Sequence, residues 1–210
     1  LVTSFLAAYH LGFFTKLLAQ ETKGKEPVAI ASTTPIPKSL LKWEKPDLTL
    51  ILTAQQHGYL LPCGCSRLQV GGLERRYNFI QDLKTNGWNL TALDLGDLSQ
   101  KQGPVSLPNE QGLIKYRYAM DAQKKIGYSV VGFGEYETAL PLFNALAEYA
   151  LNEPSPRVVS ANLLDREKEF PDQVSAWQKV EIKGSDIKLG VTGVVSPNIA
   201  EKIKDPRVKF

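Results

Sequence analysis

Residues Leu48 to Gln100 read LTLILTAQQHGYLLPCGCSRLQVGGLERRYNFIQDLKTNGWNLTALDLGDLSQ, and this stretch decides the fold. A nearly continuous apolar run at its start leads to His57, and a second apolar run leads to Asp97. Histidine and aspartate are common metal ligands, and open α/β sheets collect functional residues at the carboxyl ends of their strands. The stretch therefore predicts two parallel strands that deliver His57 and Asp97 to one edge of a sheet.

The rest of the chain continues an alternation of strands and helices. Apolar patterning predicts strands at 48–54, 89–95, 128–131 and 157–161, helices at 72–85, 110–126 and 140–151, and a hairpin of strands at 177–182 and 187–195. Such alternation is typical of an α/β fold with a mainly parallel sheet and helices on its faces. We expect the first strand to be covered on both faces. We also expect Glu135 and Asn162 to lie at strand ends.

Composition describes an ordinary globular protein. The chain has 210 residues, of which 43% are hydrophobic and 22% charged, so it can hold one full domain and an appendage. Its net charge is only +3, and its lysines are scattered, mostly beside acidic residues. This pattern is typical of a solvated surface, and we expect no nucleic-acid partner.

The first 46 residues differ from the rest. Residues 1–20 begin LVTSFLAAYHLGFFTKLLA, close to the ~20 apolar residues that a membrane-spanning helix needs. We expect a membrane anchor helix here; a signal peptide and a buried or amphipathic helix are the alternatives. Residues 21–46 contain four prolines and predict an extended linker. Residues 47–210 then form the α/β domain.

Both cysteines of the chain, Cys63 and Cys65, follow the first predicted strand. Two cysteines are too few for a disulfide framework, and a bond across C-x-C would close a small, strained ring. Together with His57 and Asp97 the pair could form one tetrahedral zinc site. A buried thiol pair and a labile disulfide are the alternatives.

Two further groups of residues carry alternative interpretations. Gly71 and Gly72 precede Arg75 and Arg76 at the start of a helix, where they could form an anion pocket. The other interpretation of the paired glycines is close packing between strand and helix. The carboxylates that flank Tyr136, Glu135 and Glu137, are either an acid–base pair or, as we expect, charges on a surface loop.

This order of motifs resembles the N-terminal half of calcineurin-like metallophosphoesterases, in particular the 5'-nucleotidase branch. PCGC followed by GGLERR is similar to a bacterial group of that superfamily that carries a cysteine pair and a GGLARR-like helix start. The resemblance runs from about Leu48 to Pro197 and includes SANLLD at Ser160–Asp165 and KLGVTGVVSP at Lys188–Pro197. It implies a partial metallophosphoesterase-like α/β sandwich, preceded here by an N-terminal hydrophobic helix.

The resemblance also implies where metal ligands would lie. Active members hold two metal ions with Asp-x-His after the first strand, Gly-Asp after the second and Gly-Asn-His-Glu after the third, and with later histidines. His57 matches the first histidine, Asp97 the bridging carboxylate, and Glu135 the acid of the third motif. Glu137 is a possible additional ligand.

Three positions depart from that pattern. Gln55 replaces the first aspartate, and Phe133 and Gly134 replace the asparagine and histidine of the third motif. No histidine follows His57 in the sequence. Because two adjacent divalent cations need several anionic or imidazole ligands, we expect no dinuclear centre in this chain.

The sequence therefore predicts a membrane-anchored, catalytically inactive metallophosphoesterase-like domain that acts as a structural or binding subunit of a larger assembly. One alternative is a metal-dependent phosphoesterase whose ligands are completed by further sequence or by a partner. Another is a redox or metal-carrier role for Cys63 and Cys65. We expect no cofactor, or alternatively one divalent metal such as zinc. The expected partners are the membrane and other protein subunits, which the anchor helix and linker would contact. We expect the soluble domain on the periplasmic or external side of a bacterial membrane.

Overall fold

A computed structural model describes residues 38–62, 71–100, 109–138, 140, 155–163 and 174–203. All of them belong to one of the two units into which the chain divides, residues 33–210. The predicted anchor, most of the predicted linker, both cysteines and nearly all of the predicted helix 140–151 lie outside the described residues. Within these ranges, no helix is both long enough and apolar enough to cross a membrane.

A five-stranded parallel sheet organises the domain, as the alternation predicts. Its strands lie side by side in chain order: β1 (Thr49–Thr53), β2 (Leu90–Asp94), β3 (Tyr128–Val131), β4 (Arg157–Val159) and β5 (Val174–Ser175). All four pairings are parallel. The carboxyl ends of the strands therefore point the same way, which is the requirement for a shared site at one edge.

Five helices accompany the sheet in the described ranges: α1 (Lys38–Leu41), α2 (Leu73–Thr85), α3 (Glu110–Ile126), α4 (Glu135–Thr138) and α5 (Pro197–Ala200). The two long helices match their predicted bounds to within one residue. Helix α3 is capped at its start by Asn109, whose side chain accepts a hydrogen bond from the Gly112 backbone, and at its end by the left-handed Gly127. The short α1 is a single turn within the segment expected to be extended.

The two faces of the sheet have different covers. Helices α2 and α3 pack on one face, where Tyr116 and Met120 share a buried apolar cluster with Val158 of β4. The other face carries the predicted hairpin, whose strands β6 (Trp177–Glu181) and β7 (Lys188–Thr192) pair antiparallel. Val159 belongs to the hairpin-side cluster, as side-chain alternation along a strand requires.

Strand β1 differs from its prediction. It is an edge strand with β2 as its one neighbour among the described strands, and its apolar Leu50 and Leu52 are 46% and 58% exposed. The expected cover on both faces is therefore wrong. An apolar run reveals a strand, but it does not reveal whether the strand lies at the centre or at the edge.

Candidate functional site

The loops that follow β1 and β2 run side by side at the carboxyl edge of the sheet. The backbone N–H of Gln55 donates to the Gly96 carbonyl at 2.9 Å, and that of His57 donates to the Asp97 carbonyl at 2.8 Å. The structure thus brings His57 and Asp97 together, as the positions of the two apolar runs predict.

Backbone strain is concentrated in these two loops. Gln55, His57 and Asp97 have positive φ angles of 56°, 52° and 59°. No other non-glycine residue that the structure describes has a positive φ. A side chain in this conformation costs on the order of 1 kcal/mol because its Cβ crowds the backbone. Residues held in this way are common at functional sites.

The carboxylate of Asp97 is used as a helix cap. Its Oδ1 atom accepts a hydrogen bond from the Tyr136 backbone N–H at 2.8 Å, within the first turn of α4. A carboxylate at this position satisfies an N–H group that has no partner within the helix. The matched position of the bridging metal ligand therefore has a structural function in this chain.

Glu137 connects the loops after β2 and β3 from the interior. Its side chain is 1% exposed. Its carboxylate accepts backbone N–H groups of Asp97 at 2.7 Å, Ser99 at 2.9 Å and Gly134 at 2.9 Å. Burial raises the pKa of this carboxyl, and the three N–H donors oppose that rise. The expectation of a surface-loop charge is wrong for Glu137, because its partners come from loops distant in sequence.

Glu135 is a partly exposed charge, as expected for a surface loop. It forms an ion pair with the Lys202 ammonium at 2.9 Å, and both side chains are partly exposed. The two acids that flank Tyr136 therefore lie in different environments.

Gly134 leaves no room for a side chain. A Cβ atom added there would overlap the carboxylate and backbone nitrogen of Asp97, and one added at Gly96 would overlap the Gly134 nitrogen. The loops after β2 and β3 therefore interlock through two glycines. A histidine at position 134, as the third motif of the resemblance has, is incompatible with this conformation of Asp97.

The imidazole of His57 has an aromatic partner. It stacks on the Tyr136 ring with centroids 4.3 Å apart and planes inclined by 22°.

Asn162, the fourth predicted strand-end residue, forms hydrogen bonds through both amide atoms to the Val195 backbone, at 2.8 and 2.9 Å. It therefore joins the end of β4 to the segment after β7.

Sequence patterning misses a buried polar network beneath the site. Asp94, at the end of β2, is 3% exposed. It accepts hydrogen bonds from the Thr53 hydroxyl, from the Gly96 N–H at 2.9 Å and from the Gln123 amide at 3.3 Å. Thr53 also contacts the Tyr128 hydroxyl at 3.0 Å. The sequence signal that could have revealed this network is Asp94 itself, an acidic residue at the end of an apolar strand.

Of the two glycines at the start of α2, only Gly72 has a close neighbour, the loop residue Pro62; a Cβ at Gly71 would meet no atom within 4 Å. Gly71 and Gly72 have φ angles of 92° and 91°, and a Cβ at Gly72 would lie 2.8 Å from the Pro62 ring. Arg75 donates to the Gly71 carbonyl at 3.3 Å, and Arg76 donates to the Gln56 side chain at 3.5 Å. Anion binding at this helix start stays a prediction.

Metal ligands do not converge in the part of the chain that the structure describes. No group of three or more His, Cys, Asp or Glu side chains in these ranges has an arrangement that could hold a metal ion. Cys63 and Cys65 lie outside the described residues, so the zinc site that they would form with His57 and Asp97 stays a prediction.

Comparison with known proteins places the fold. No family model matches the chain. A 5'-nucleotidase from Diplobatis ommata is 26% identical over 140 residues, which are 63% of this chain and 22% of that protein. The sulfate thiohydrolase SoxB of Thermus thermophilus, solved with glycerol, is 14% identical with a TM-score of 0.57, over 84% of this chain and 40% of its own.

A second solved structure agrees. The calcineurin-like phosphoesterase YfkN of Bacillus subtilis is 17% identical with a TM-score of 0.50, over 77% of this chain and 53% of its own. This chain thus spans about a fifth to a half of the length of these proteins. Its α/β fold with a parallel sheet resembles that of calcineurin-like phosphoesterases, which confirms the predicted resemblance at the level of the fold.

Proposed function

We propose that this phosphoesterase-like domain is catalytically inactive and acts as a structural or binding subunit of a larger membrane assembly. The observation that carries the proposal is the use of two carboxylates, Asp97 after β2 and Glu137 in α4. Asp97 caps α4, and Glu137 accepts three backbone N–H groups. Both acids hold loops together.

Charge supports the same proposal. Two neighbouring divalent cations need several anionic ligands to offset their repulsion. Gln55 offers a neutral carbonyl, and Gly134 offers no side chain. The Tyr136 N–H already occupies one acceptor site of the Asp97 carboxylate.

Residues 1–20 would hold the domain at a membrane, with the domain on the periplasmic or external side. The support is their apolar length, which is near that of a spanning helix. The proline-containing residues 21–46 would separate the domain from the bilayer and contact neighbouring subunits.

A hydrolysis assay tests the proposal. The full chain, incubated with an aryl phosphate and Mn²⁺, Zn²⁺ or Mg²⁺, should release product no faster than its Asp97→Asn and His57→Ala variants. Turnover that depends on metal and is lost in both variants would contradict it.

One observation favours a second candidate, a phosphoesterase completed by a partner. The left-handed residues Gln55, His57 and Asp97 all lie at the strand ends, where strain often accompanies function. In that case, activity should appear only when the purified chain is combined with its partner subunit.

A further inference from the structure

A polar cavity lies at the opposite end of the sheet from His57 and Asp97. Its volume is about 640 Å³, within the range of small-molecule sites. It opens beside the amino ends of β2 and β3, and its lining comes from the end of α2, the turns before both strands, and the hairpin, including Lys84, Trp88, Thr91, Ser129, Glu181 and Lys183.

Lysines gather around this cavity. Lys84 reaches it from α2 and Lys183 from the hairpin turn. The Lys45 ammonium lies beside Gly87 on its rim, 3.0 Å from where a Cβ of that glycine would be. Burial and, second, the nearby charge of Lys183 lower the pKa of Lys84. The two ammonium groups therefore repel each other across the cavity.

These charges lack carboxylate partners. In the described ranges, neither Lys84 nor Lys183 lies within ion-pair distance of an acid. Lys84 makes one long hydrogen bond, 3.5 Å, to the Ile126 carbonyl. Glu181 is the acid among the described lining residues, and it is paired at 3.0 Å with Lys179, which does not line the cavity.

Neutral donors lie on the same wall. The hydroxyls of Thr91 and Ser129 are 2.7 Å apart, and one donates to the other. The accepting hydroxyl keeps a proton that it can donate to a ligand. The buried Trp88 adds apolar surface to the lining of the cavity.

We propose that this cavity binds a small, multiply charged anion of the phosphate-ester or polyphosphate class, with Lys84 and Lys183 as its cationic ligands. An anion between the two ammonium groups replaces their repulsion by two charge-assisted contacts. The inference does not depend on whether the strand-end site is active, because the two sites lie at opposite ends of the sheet.

Calorimetric titration of the full chain with pyrophosphate, at low ionic strength and without divalent cations, tests the proposal. We expect saturable binding of one anion per chain. Lys183→Gln should weaken it about tenfold or more, because one charged contact is lost. Lys125→Gln, which removes an exposed lysine of α3 that does not line the cavity, should leave it unchanged.

Stability measurements separate binding from folding. Lys84→Gln should also weaken binding, and its thermal unfolding is recorded because Lys84 contacts the end of α3. Lys183 has no such contact, so its variant decides the question. Absence of saturable binding, or equal weakening by Lys125→Gln and Lys183→Gln, would overturn the proposal.

Discussion

Glu137 was expected to be a surface charge, but it is a buried carboxylate with a structural role. A carboxylate with three backbone donors holds the loops after β2 and β3 in place. Glu137→Gln should lower the free energy of unfolding by about 2–4 kcal/mol, because an amide cannot accept all three N–H groups. Urea unfolding measures this loss. Glu135→Gln, two residues away, breaks only an exposed ion pair and should cost less than about 1 kcal/mol. Equal losses would argue against the assigned roles.

Tyr128 provides a prediction about pH at the same scale. Burial raises the pKa of its phenol above the ordinary value, and the hydrogen bond to Thr53 opposes the rise. The folded state therefore keeps this proton at a pH where the unfolded chain has lost it, so stability falls as pH rises above about 10. Tyr128→Phe should lack this part of the alkaline loss. Unfolding free energies from pH 8 to 11 measure it, and parallel curves for the two proteins would refute the assignment.

At the scale of elements, the interlock of the loops after β2 and β3 can be tested sterically. Gly134→Ala places a methyl group onto the Asp97 carboxylate and should cost about 2 kcal/mol or more. Gly190→Ala in β7 meets no atom within 4 Å and serves as the matched control. Denaturant midpoints compare the two variants. A Gly134→Ala protein as stable as the control would show that the loops have room to separate.

The same scale shows what sequence can predict. The bounds of α3, the hairpin and the alternation of strands with helices follow from apolar periodicity and from turn residues, which are local signals. The exposure of Leu50 and the burial of Glu137 do not follow, because each depends on which distant segments lie alongside. For the site, the pairing of His57 with Asp97 was predictable from strand ends. The cap that Asp97 provides to α4 was not, because it joins residues 39 positions apart.

At the scale of the whole molecule, residues 1–20 should determine where the protein resides. Expressed in a bacterium, the full chain should sediment with membranes and resist extraction by alkaline carbonate. A chain that lacks residues 1–20 should no longer sediment with membranes, because these residues are the proposed anchor. Equal distribution of the two proteins would refute the anchor.

The metal content of the purified full chain tests the central claim most directly. If Asp97 and Glu137 hold loops together, elemental analysis after dialysis against Mn²⁺ or Zn²⁺ should find no tightly held pair of ions. The amount should also not fall in Asp97→Asn. Two ions per chain in the unmodified protein, lost in that variant, would contradict the claim that this site no longer binds metals.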